Sequence, residues 1–189
     1  GSGQRKVWLI GRQHPGETMA SWFFEGFLER LLDASDSASQ KLLRDATLYL
    51  VPNMNPDGSY RGHLRTNAVG SNLNREWDKA TMLRSPEVFT VRAAMHAVGV
   101  DFCVDVHSEE ELPYCFVSKT PLAIPSLTAR QRGLYEKYVA ALCDAALRAA
   151  QKAVDAKFDA GHGDALKAQF NASNLVGTPL GDADFMYAI

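Results

Sequence analysis

The sequence predicts an α/β fold, with a central sheet covered on both faces by helices. Two observations predict it. Short apolar runs of strand length alternate with longer segments whose apolar residues recur near the 3.6-residue period. Polar, turn-rich clusters also follow the apolar runs directly, as expected where ligands gather at the carboxyl ends of strands.

Taken in order, Val7 to Gly11 reads as a buried strand and Thr18 to Leu32 as an amphipathic helix carrying Met19, Phe23, Phe24, Phe27, Leu28, Leu31 and Leu32. The segment DASDSASQK reads as a polar turn. Thr47 to Val51 is a second strand, running into the turn formers of PNMNPDG and then a long loop. Loops of that length inside a domain are usually functional or disordered. Ser85 and Pro86 mark a helix start, with Ser85 as the cap and the helix reaching about Val98. Asp101 to Val106 is a third strand and Tyr114 to Ser118 a fourth. An Ala-rich helix spans Ala129 to about Phe158, before a glycine-punctuated tail.

With 189 residues and a formal net charge of -2, the chain can bury one core and presents no global basic field for nucleic acid. No apolar run approaches a membrane span of ~20 residues, so no membrane partner is expected. Gly1 to Gly3 reads as a tag remnant, leaving residues 4–189 as a single domain. Cys103, Cys115 and Cys143 are odd in number and lack CxxC spacing, which argues against a disulfide framework and fits a reducing compartment such as the cytoplasm.

The chemistry-bearing residues stand at strand ends. His14 and Glu17, in RQHPGE, follow the first strand, and His107 follows the third. Two imidazoles and one carboxylate, with a fourth position open, form a catalytic zinc arrangement. The alternative is a surface turn plus a strand-end histidine with an ordinary partner. Asp105 shares a strand face with His107 and could orient it. Arg65 in HLRTN and Arg75 in NLNREW are loop cations; the planar fork of Arg75, with the Asn74 amide beside it, suits a carboxylate.

HPGE, NPDG, the arginine of HLRTN, NLNREW and DVHS occur here in the order found in zinc metallocarboxypeptidases. The wording is most similar to the cytosolic-carboxypeptidase-like branch, including its bacterial members. The resemblance covers roughly Val7 to Ser118. It implies a three-layer α/β/α sandwich around a mixed, mostly parallel sheet. It also implies one zinc ion on His14, Glu17 and His107, with Arg65 polarising the scissile carbonyl. Asn74 and Arg75 would grip the terminal carboxylate of a peptide or protein tail. A deacylase of N-acyl amino acids, or a carboxylate-binding module that does not cut, could use the same residues.

The family's general-base glutamate has no match. Glu109, Glu110 and Glu111 crowd the position just after His107, and Glu136 lies in the Ala-rich helix. The tail resembles the segment that precedes the base in the family, so the base is expected beyond Ile189 in a longer protein. Nothing in the sequence fixes an oligomeric state.

Overall fold

The computed structural model describes residues 4–108, 117 and 127–157. They fall in two compact units, one holding residues 4–108 and the other holding Val117 and residues 127–157.

In the first unit the element order is β1 (Arg5–Gly11), α1 (Met19–Leu32), α2 (Ser37–Asp45), β2 (Ala46–Val51), α3 (Pro56–Arg61), α4 (Pro86–Val98) and β3 (Phe102–Val106). A single turn of 3-10 helix at Leu73–Arg75 interrupts the long loop. The three strands form one sheet in the order β2-β1-β3, with both pairings parallel. Parallel neighbours need crossovers, and the helices between the strands supply them.

β1 is the central strand, and its apolar run is what such a position demands, since both faces are covered. Successive side chains point to opposite faces. Ile10 joins Met54, Leu73, Ala80 and Val88 in a buried cluster, with Val51, Trp77, Val91 and Met95 packed against it, so α4 covers that face. Gly11 points the other way. A Cβ there would come within 2.7 Å of the Phe24 ring, so α1 packs against the opposite face at a distance only glycine permits. Helix, sheet and helix thus make the three expected layers.

Boundaries of the expected elements agree to within two residues, with two additions. The expected polar turn DASDSASQK becomes helix α2 from Ser37 onward, because Asp36 caps it by accepting from the Ser39 amide at 2.8 Å. The NPDG segment is also helical: Asn55 caps α3, its side chain accepting from the Gly58 amide at 3.1 Å, with Pro56 in the first turn. Ser85 does precede α4, but its hydroxyl makes no cap bond; it accepts from the Thr81 amide instead. The expected fourth strand, Tyr114 to Ser118, lies outside the described residues save Val117, as does the tail.

In the second unit α5 runs Ala129–Lys157. Thr128 and Gln131 cap its start reciprocally: the Gln131 amide donates to Thr128 Oγ1 at 3.2 Å and the Thr128 amide to Gln131 Oε1 at 2.9 Å. Among the described residues no helix is long and apolar enough to cross a membrane.

Candidate metal centre

The site lies at the carboxyl edge of the sheet, where adjacent strands β1 and β3 end. β1 exits through a sharp bend. Arg12 takes φ 53°, in the left-handed region, and its guanidinium ties the bend by donating to the Pro15 carbonyl at 2.7 Å and Ser21 Oγ at 3.3 Å. The Gly16 amide donates to the Leu64 carbonyl at 2.8 Å, fixing the turn against the long loop. His14 is thereby fully buried and Glu17 almost so. β3 delivers His107 one residue beyond its end, its side chain 6% exposed.

Three side chains from these two strand ends converge. His14 Nδ1 lies 2.7 Å from Glu17 Oε1, and His107 Nδ1 lies 2.9 Å from Glu17 Oε2. One ligand atom from each residue can be chosen so that all lie within 4.8 Å of one another. Zinc bonds of about 2.0–2.2 Å to nitrogen and oxygen put tetrahedral neighbours roughly 3.4 Å apart. The two contacts at Glu17 are shorter than that and the whole set stays within 4.8 Å, so small shifts would admit the ion; two imidazoles with one carboxylate match the donor chemistry of a zinc site with an open fourth position. The residues fit the ion.

The electrostatics agree. Burial pushes the Glu17 carboxyl up, but hydrogen bonds with His107 and His14 outweigh it and bring the group down to about 2. Burial disfavours the charged His107 ring, yet its bonds to Asp105 and Glu17 prevail and raise it to about 9. The two shifts are one interaction seen from its two sides: the rings favour the ionised Glu17, and the Glu17 and Asp105 carboxylates favour positive charge on His107.

Each imidazole also has a partner on its far nitrogen. His14 Nε2 lies 3.1 Å from Asn72 Oδ1, and His107 Nε2 lies 2.7 Å from Asp105 Oδ2. Asp105 therefore orients His107, as its position two residues upstream suggested. With these partners at Nε2, Nδ1 of each ring faces Glu17, the side on which the three residues could share a metal. Asn72 was visible only as part of NLNREW. Its role follows from its side chain, which accepts from the Asn74 amide at 3.0 Å while facing His14.

The remaining candidates ring the trio. Arg65 Nη2 stands 3.3 Å from His14 Nε2 and Nη1 3.7 Å from Glu17 Oε1. Asn74 Nδ2 is 3.5 Å from His107 Nε2. Arg75 is exposed at the rim, donating to its neighbour's carbonyl, Asn74 O, at 2.8 Å. His63 holds the loop, its Nδ1 lying 3.1 Å from the Asn67 carbonyl. Glu109, Glu110 and Glu111 lie outside the described residues.

A parallel sheet edge that presents a buried His-Glu-His trio beneath an arginine defines a metal-dependent class of protein. The chain matches the zinc carboxypeptidase family model over residues 1–161, and it belongs to that family. The cofactor of the family is zinc, and His14, Glu17 and His107 are the residues here that could hold it.

The chain is 54% identical over 138 residues to an uncharacterized protein of Zymomonas mobilis, covering 73% of this chain and 36% of that one. It is 36% identical over 124 residues to human cytosolic carboxypeptidase-like protein 5, covering 65% of this chain and 14% of that one. A metallo-carboxypeptidase from Burkholderia cenocepacia superposes with TM-score 0.67 at 51% identity, over 70% of this chain and 36% of that chain. One from Pseudomonas aeruginosa, in complex with (2-guanidinoethylmercapto)succinic acid, superposes with TM-score 0.69 at 47% identity, over 72% and 36%. The chain thus spans little more than a third of the bacterial relatives it matches. Its sheet is part of the zinc carboxypeptidase fold.

Proposed function

We propose that the protein is a zinc-dependent carboxypeptidase that removes C-terminal residues from peptides or protein tails. The observation that carries this reading is the convergence of His14, Glu17 and His107 with Arg65 and Asn74 directly against them. Zinc, when bound, supplies a Lewis acid that acidifies water towards a pKa of about 7 and polarises the scissile carbonyl.

The chain's own residues do the rest. Glu17, His14 and His107 hold the ion, with the far nitrogens of the rings tied by Asn72 and Asp105. Arg65, half exposed beside the trio, presents a guanidinium to the oxygen on which negative charge develops. Asn74 and Arg75 grip the free carboxylate of the substrate and so set which peptide bond meets the metal. That the Pseudomonas aeruginosa relative was solved with a succinic acid derivative supports carboxylate recognition in such a site. A cytoplasmic location is in keeping with the name of the human relative. Residues 4–189 are read as part of one catalytic domain, since the family match runs across both compact units.

The test uses the intact protein and peptides with free or amidated C-termini, alongside a panel of N-acyl amino acids. Release of the terminal residue from free peptides only, abolished by a chelator and restored by zinc, is the expected result. Hydrolysis of N-acyl amino acids without peptide cleavage would make it a deacylase. Tight binding of peptide carboxylates with no turnover would make it a non-catalytic module.

A further inference from the structure

Gln13 is fully buried between the strand end and the metal trio, where an amide is costly unless every polar atom is engaged. Its orientation is fixed by chemistry. Trp77 Nε1, which can only donate, lies 2.8 Å from Gln13 Oε1. The amide nitrogen must therefore face the other way, and there it donates to Asp105 Oδ2 at 2.5 Å. The same Asp105 oxygen lies 2.7 Å from His107 Nε2. Asp105 is buried, and among the described residues its other oxygen has no partner, so its bonding is concentrated on the atom that meets the histidine.

Both ends of this chain are anchored. The Gln13 carbonyl accepts from Asn55 Nδ2 at 3.0 Å, and the Trp77 carbonyl accepts from Arg92 of α4. Trp77 also packs on the core cluster under β1.

We infer that Gln13 and Trp77 are positioning residues for the metal centre: the Trp77 indole orients the Gln13 amide, which fixes the Asp105 carboxylate that in turn engages His107 Nε2 and so turns Nδ1 towards Glu17. The inference rests on the zinc-site reading above. It assigns a role to two residues outside the His14, Glu17 and His107 trio. Gln13 is suited to the task because it is neutral. A lysine or arginine in its place would pair with Asp105 and drain the charge that raises the basicity of the His107 ring. An aliphatic residue would leave both the carboxylate oxygen and the indole N–H without partners.

The experiment measures the zinc dissociation constant of the intact protein by competition with a chromophoric chelator. The visible spectrum of the cobalt-substituted protein and the Tm of the metal-free protein are recorded in parallel. The variants are Gln13→Met, which keeps the length and removes the hydrogen bonds, Trp77→Phe, which keeps a ring and removes the N–H, and the pair together. Zinc affinity should fall about 10-fold in Gln13→Met, the lower end of the loss seen when a ligand's orienting partner is removed. The cobalt spectrum should shift with it. The double variant should lose no more than Gln13→Met alone, because both act through one carboxylate.

Wild-type affinity and an unchanged cobalt spectrum in Gln13→Met would overturn the inference, as would additive losses in the pair. A lowered Tm with unaltered zinc affinity would also overturn it, by reducing both residues to packing. If the wild-type protein binds no zinc, or His14→Ala binds it as well as wild type, the metal site itself is wrong and the relay falls with it.

Discussion

Replacing Gly58 by alanine tests how far the long loop is locked to the site. Helix propensity alone predicts a gain, since alanine is better than glycine within a helix by about 1 kcal/mol, and Gly58 lies in α3. The surroundings predict the reverse. A Cβ on Gly58 would sit 2.5 Å from Asn55 Oδ1, 2.5 Å from the Thr66 carbonyl and 2.7 Å from Pro15 Cγ. Two of these neighbours are backbone or ring atoms that cannot swing aside. Overpacking of this kind costs about 1–3 kcal/mol. Displacing Asn55 also sacrifices the α3 cap, for about 1 kcal/mol more. Net of the propensity gain, Gly58→Ala should destabilise the metal-free protein by about 1–3 kcal/mol in chemical denaturation. Because Asn55 also bonds the Gln13 carbonyl, zinc affinity should weaken in the same variant. A Gly58→Ala protein as stable as wild type, with zinc binding intact, would refute the reasoning.

Two further outcomes are expected. Arg75→Ala should chiefly raise KM, roughly 10- to 100-fold, because hydrogen bonds to a charged group are each about 1.5–3 kcal/mol and this one exists in the ground state too; steady-state kinetics showing a collapsed kcat at normal KM would contradict the grip. Burial, reinforced by nearby Asp105, pushes the Cys103 thiol up to about 12. Iodoacetamide at pH 8 should therefore leave Cys103 unlabelled in the native protein and label it after unfolding, as read by peptide mass spectrometry. The sign for stability follows: the unfolded thiol ionises first, so this group's contribution falls as pH rises from the ordinary thiol range towards 12. Equal labelling of native and unfolded protein would refute the burial argument.

Much of this was legible in the sequence because it rests on local rules. The apolar run before Gly11 has the length and composition of a doubly covered strand, and HPGE at its end stands where ligands gather in such sheets, although a surface turn would be polar as well. His107 could be joined to it because parallel strands bring their carboxyl ends to one edge. What escaped was set by single side-chain contacts between distant segments. Asp36 and Asn55 each start a helix where turn formers alone suggested loop. Asn72 faces His14 across 58 residues, and Gln13 meets Asp105 across 92. No periodicity encodes such pairs. Gln13 left one signal, an amide wedged between a bend and a metal-binding motif, where an apolar residue would have been cheaper to bury.

The residues of the trio are unequally spaced along the chain. His14 and Glu17 are three residues apart, whereas His107 follows Glu17 by 90. During synthesis the first two emerge early and must wait for β3 to dock beside β1. A nascent chain thus offers a divalent ion only two of three donors until the sheet edge closes. An ion that needs all three donors would therefore bind only once β3 has docked beside β1, and a loaded site would report that docking.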